Sequence, residues 1–200
     1  MNILFIVAMN TEADPIINHF NLNKVDEIFF KNENINLLIT GVSRNSVVSS
    51  LLNLITNNII YLDTTIFINV GLVGTNNLKI GEVVMISKSY GYHFDLTPFG
   101  ESLYHSSFSP YELNTISNIE KYDCYTSDAF VLNTTITDNA VFDMELNAIT
   151  PFVTNKLYSV KIVSDTLCAD KYRNFNFEES FERLFFILDE IVKENILIQY

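Results

Sequence analysis

Two hundred residues with 48% apolar content can bury one sizeable core, and no shift in composition along the chain argues for a second domain. The balance is acidic, 24 Asp and Glu against 12 Lys and Arg for a net charge of -12, and the three arginines, Arg44, Arg173 and Arg183, form no cluster. A surface of that sign repels a phosphate backbone, so nucleic acid is excluded as an expected partner.

The opening run, Met1 to Ala8, is apolar, lacks a basic flank and ends at Asn10. It is too short to cross a bilayer and reads as a buried first strand. Thr11-Glu12-Ala13-Asp14 then has the form of a capping box with Asp in place of Glu, and Pro15 is tolerable in a first helical turn. Ile16, Ile17 and Phe20 supply the apolar stripe of that helix. A hairpin-like pair follows, 27–30 and 35–39, closed by Gly41. Val47, Val48, Leu51, Leu54 and Ile55 recur at helical spacing and predict a helix over 45–57.

A strand is expected at 65–70, followed by a turn through Gly71-Leu72-Val73-Gly74. Another at 82–87 leads into Tyr92-His93-Phe94-Asp95. The span 101–120 is polar and irregular, with a short helix expected near 111–119. Strands recur near 122–127, 140–143 and 158–163, with a helix kinked by Pro151 over 145–156. The final helix, about 177–197, carries Phe181, Leu184, Phe185, Leu188, Ile191 and Val192 on one face. Strands alternating with helices predict a single three-layer α/β/α domain over 1–200, with a mostly parallel, mixed central sheet.

Cys124 and Cys168 have no CxxC spacing and no histidine cluster beside them, which fits free thiols in a reducing cytosol. His93 lacks a second His or Cys at ligand spacing, and His19 and His105 are isolated, so no metal site is expected. No glycine-rich loop of the nucleotide-binding kinds occurs, and no cofactor is expected. A soluble cytoplasmic protein with no membrane partner is the reading.

Three acids stand where apolar strands hand over to loops or helices: Glu12, Glu145 in Val141-Phe142-Asp143-Met144-Glu145, and Asp165 in Val160-Lys161-Ile162-Val163-Ser164-Asp165. Open α/β sheets place ligands at such ends. The same residue types also serve as turn residues and as first-turn acids complementing a helix dipole.

Together these segments resemble the purine nucleoside phosphorylase and nucleosidase superfamily, most of all its members that hydrolyse 5'-methylthioadenosine and S-adenosylhomocysteine. The resemblance implies cleavage of the N-glycosidic bond of a 5'-substituted purine nucleoside, releasing adenine. By it, Asp165, oriented by Ser164, protonates the purine; Glu145 grips the ribose hydroxyls with Met144 against the sugar; and Glu12 activates water. Phe130 stacks on the base and the Val131 backbone reads its edge. Phe175 or Phe177 closes the base side. Thr97-Pro98-Phe99-Gly100 resembles a segment that a neighbouring subunit lends to the 5'-pocket through Phe99, implying a homodimer. Tyr92-His93 resembles a stretch near that dimer contact. Two departures stand out, Leu72 where the family carries Ser in its glycine turn and Lys161 where it carries Arg. Phosphorolysis, with Arg44 as anion ligand, and a nucleoside-binding protein with impaired catalysis are the alternatives.

Overall fold

The computed structural model describes residues 2–92, 94–136 and 138–196. His93 lies outside them, as do Met1 and the end of the expected last helix. In chain order the elements are β1 (Asn2–Val7), α1 (Asn10–His19), β2 (Asn23–Lys24), β3 (Phe29–Lys31), β4 (Ile35–Ile39), α2 (Arg44–Thr56), β5 (Thr65–Gly74) and β6 (Val83–Gly91). They continue with β7 (Tyr111–Glu112), β8 (Lys121–Thr126), β9 (Ala140–Asp143), β10 (Leu157–Asp165), α3 (Ala169–Arg173) and α4 (Phe181–Ile196).

The ten strands of the described residues join one mixed sheet, as expected. β1 pairs parallel with β4 and β5, β5 with β10, and β8 with both β6 and β9. β10 meets β6 antiparallel, and Gly74 of β5 meets Phe142 of β9. The sheet therefore curls on itself through β5, β10, β6, β8 and β9, while β1 to β4 extend it on one side. The curl draws the carboxyl ends of β5, β9 and β10 together.

Strand alternation divides the core. Ile3, Phe5 and Val7 point to one face, where Ile16 of α1 and Leu184, Ile187, Leu188 and Ile191 of α4 cover them. Leu4 and Ile6 point to the other, against Val47, Leu51 and Leu54 of α2. That division is the three-layer arrangement. Among the described residues no helix is long and apolar enough to cross a membrane.

Several local expectations are overturned. Gly71 to Gly74 is not a turn: β5 runs through it, in register with Lys161 to Asp165 of β10. The helix expected at 111–119 is absent; Tyr111 and Glu112 add a short strand to β6, opposite Ser89 and Lys88. The helix over 145–156 is replaced by two separate 3-10 turns, Leu146–Ala148 and Thr150–Phe152, because Pro151 removes a donor where a continuous helix would need one. The last α-helix starts at Phe181, after a 3-10 turn at Glu178–Ser180. Nor does Thr11 cap α1. The helix begins at Asn10, Pro15 lies in its second turn, and it is the Glu12 side chain that reaches back to the preceding amides.

Candidate active site

Glu12 enters from the first turn of α1. Its Oε2 accepts hydrogen bonds from the Ala8 and Met9 amides at 2.8 and 3.0 Å, and its Oε1 from the Leu72 amide at 3.2 Å. The residue is buried, and burial raises its pKa; the Lys161 charge and these three amides oppose the rise without cancelling it. A carboxylate so placed holds a proton more readily than one in water. The side chain of Leu72 packs on the core, yet its backbone amide is one of the donors that fix Glu12.

The Lys161 charge that acts on Glu12 belongs to an ion pair. Lys161 on β10 and Asp143 at the end of β9 are buried, with Nζ 2.8 Å from Oδ2. Asp143 also accepts from Thr126 Oγ1 at 2.6 Å and from the Leu146 amide at 3.0 Å. Burial pushes the Asp143 carboxyl up, but Lys161 and these donors pull it below its usual value. Burial likewise pulls the Lys161 ammonium down, and Asp143, Cys124 and Glu145 more than offset it. Lys161 is therefore a buried cation that acts through its field rather than by lining the cavity.

Glu145 follows two residues after Asp143. Its Oε1 accepts from the Ser43 amide at 3.0 Å, across 102 residues of chain. Ser43 precedes α2 in the left-handed region, at φ 104°, which costs a non-glycine residue of order 1–3 kcal/mol. Burial, and then repulsion from Asp143, push the Glu145 carboxyl up to about 7 against the pull of Lys161 and the Ser43 amide.

Asp165 ends β10. Ser164 Oγ donates to its Oδ2 at 2.8 Å, and the Cys168 amide to its Oδ1 at 3.2 Å.

These groups meet at one cavity of about 270 Å³. That is near the lower end of the range of roughly 300–1,000 Å³ for small-ligand sites. Glu12, Glu145 and Asp165 line it together with Met144, Ser164, Phe130 and Val131. Phe99 does not; it is 83% exposed, in a turn outside the cavity of its own chain. Phe175 and Phe177 are not in the lining either, since both pack on the core beside α4. The aromatic ring on that side is Tyr172 of α3, edge-on to Phe130 at 5.8 Å, with its hydroxyl 3.6 Å from Met9 Sδ. Tyr172, Asp143 and the Ser43 amide are site features absent from the sequence-based expectation. Asp143 carried a signal, as the acid of the acid-Met-Glu order; the other two depend on long-range packing.

A curled, mixed sheet of this kind is also the fold of solved 5'-methylthioadenosine/S-adenosylhomocysteine nucleosidases and of a solved futalosine hydrolase. Among solved structures, the 5'-methylthioadenosine/S-adenosylhomocysteine nucleosidase of S. pneumoniae, with a transition-state inhibitor, superposes with a TM-score of 0.78 at 17% identity, over 94% of this chain and 97% of that one. The corresponding Helicobacter pylori nucleosidase, a point mutant with 5'-methylthioadenosine in its active site, gives 0.76 at 14% identity, over 94% and 98%. Futalosine hydrolase of H. pylori gives 0.76 at 16%, over 95% and 98%. No family model and no curated protein sequence matches the chain.

Proposed function

We propose that this protein is a nucleosidase that hydrolyses the N-glycosidic bond of a 5'-substituted purine nucleoside, 5'-methylthioadenosine or S-adenosylhomocysteine, and releases adenine. The observation that carries the reading is the convergence of Glu12, Glu145 and Asp165 on one cavity, each held by a separate set of donors.

Leaving of the base builds negative charge on the purine and positive charge on the sugar. Asp165, steadied by Ser164, delivers a proton to N7. Glu145 accepts hydrogen bonds from the 2'- and 3'-hydroxyls and stabilises the sugar cation, with Met144 against the ring. Water oxygen bonds to C1' as the bond from C1' to N9 breaks, and the proton of that water passes to Glu12. Phe130 and Tyr172 flank the base, and the Val131 backbone meets its edge.

Water rather than phosphate is the nucleophile in this reading. Phosphate needs a basic cradle. Arg44 is engaged by Asp128, and Lys161 is buried against Asp143. The exposure of Phe99 suits a homodimer in which one protomer lends that ring to the 5'-pocket of its partner. The free thiols Cys124 and Cys168 suit a cytoplasmic enzyme, and recycling of methylthioadenosine would place it in methionine salvage. The likeness to futalosine hydrolase favours one second reading, the same hydrolysis on a nucleoside with a different 5'-substituent.

The test is release of free adenine from 5'-methylthioadenosine, followed by liquid chromatography with and without phosphate. Adenine in phosphate-free buffer supports the nucleosidase. Adenine only with phosphate makes it a phosphorylase, and none in either with tight nucleoside binding makes it a binding protein.

A further inference from the structure

The residues at the start of α2 and just before it face two ways. Ser43 turns its amide to Glu145 Oε1, while the next residue, Arg44, sends its guanidinium to Asp128. That contact is two-pronged: Arg44 Nε meets Asp128 Oδ1 at 2.8 Å, and Nη2 meets Oδ2. Asp128 opens the segment 128–131, whose next three residues, Ala129, Phe130 and Val131, are one wall of the cavity. The segment lies in no helix or strand. At its start the Ser127 amide donates to the Asp143 carbonyl at 2.9 Å and the Ala129 amide to Ser127 Oγ at 3.1 Å.

We infer that Arg44 and Asp128 form a latch that sets the distance between the carboxylate Glu145 and the aromatic wall at Phe130. Both are positioning residues, and neither lines the cavity. Two parallel N–H to oxygen contacts fix orientation as well as separation, which a single contact to a lysine would not. The pair joins the anchor of one end of a bound ligand to the wall facing the other end. Misplacing either costs binding of a ligand that must touch both. Asp128 is largely exposed and Arg44 partly so, so the pair adds little to global stability and is screened by salt. The effect on a nucleoside rests on the nucleosidase reading; the coupling of loop to helix does not.

The experiment compares the wild type with Arg44→Gln, Asp128→Asn and the double variant. It measures KM and kcat on 5'-methylthioadenosine, melting temperature, and hydrogen exchange of the amides of 128–132. Each single variant is expected to raise KM about three- to tenfold, with a smaller change in kcat and an unmoved melting temperature. The double variant should match either single one, and about 0.5 M sodium chloride should raise KM in the wild type alone. Exchange of 128–132 should quicken in every variant. Unchanged KM, or additive effects in the double variant, would overturn the latch. A wild type that releases no adenine from 5'-methylthioadenosine defeats the nucleosidase reading for that substrate instead, and exchange alone then decides: faster exchange in Asp128→Asn upholds the latch and unchanged exchange overturns it.

Discussion

Gly74 and Asp165 are register partners on the parallel strands β5 and β10, and a Cβ at Gly74 would stand 2.7 Å from Asp165 Oδ1. No side chain fits there unless that carboxylate moves. The glycine thus holds open the place that Asp165 occupies, with Leu167 Cδ2 closing the other side at 3.2 Å. Gly74→Ala should lower kcat for adenine release by about 10²-fold, the scale set by an ångström of misplacement at a reacting group. Circular dichroism should show the fold retained. Wild-type kcat in this variant would mean that the Asp165 carboxylate is not the proton donor, or that it works equally well when displaced.

Asp165→Asn tests the same group by chemistry instead of position. In the amide, Oδ1 can keep accepting from the Cys168 N–H while Nδ2 donates to Ser164 Oγ, whose own proton can go to the Val73 carbonyl, so the packing around it survives. Proton delivery does not, and turnover should fall by about 10² to 10⁴ with binding of adenine largely kept. Calorimetry with adenine beside steady-state rates separates the two effects. Turnover at the wild-type level would remove Asp165 from the mechanism.

The Lys161–Asp143 pair predicts asymmetric costs. Lys161→Met leaves Asp143 charged and buried, and breaking a pair in this way costs about 3–5 kcal/mol. Asp143→Asn with Lys161→Met removes both charges; the amide oxygen can still accept from the Leu146 N–H, and the amide nitrogen faces Thr126 Oγ1 as a donor. The double variant should regain most of the stability lost in the single one, as read from urea unfolding midpoints. Equal losses in both would show that packing of the lysine stem, not charge, is what matters at position 161.

The layers of this fold are legible in the sequence because burial on two faces leaves period-two and period-3.6 patterns in β1, α2 and α4. The region after Glu145 is not. Leu146, Ala148, Ile149 and Thr150 are all buried, so the segment looks like a helix in composition, whereas Asp143 and Pro151 break it into two short turns. Near 111–119 the apolar residues Ile116 and Ile119 suggest helical spacing, but both plug the core from a loop. The carboxylates can be found as candidates from their places at strand ends. Their partners cannot: the Ser43 amide and Tyr172 reach the site only through long-range packing. Nor does the sequence show that Lys161, which stands where the resembled superfamily carries Arg, is buried against Asp143.

Glu145 carries the clearest pH signature. Its carboxyl is pushed from an ordinary 4.5 up to about 7, by burial first and by Asp143 next. The ionised form is the one that accepts from two ribose hydroxyls. KM for the nucleoside should therefore fall as pH rises through about 7, and this dependence should vanish in Glu145→Gln. Stability moves the opposite way. Between pH 4.5 and 7 the folded state holds a proton on Glu145 that the unfolded chain has already released, so stability falls as pH rises across that window and levels off above it. A shift of that size corresponds to at most about 3 kcal/mol. Burial raises the Glu12 pKa too, which adds a decline of the same sign, so the wild-type curve alone does not isolate Glu145. The difference between wild type and Glu145→Gln does. Melting temperatures from pH 4.5 to 8 should show the wild type losing ground to the variant up to about pH 7, at about 2–4 °C per kcal/mol. Parallel curves for the two proteins would mean that Glu145 titrates at its ordinary value, and any pH dependence of KM would then belong to another group at the site.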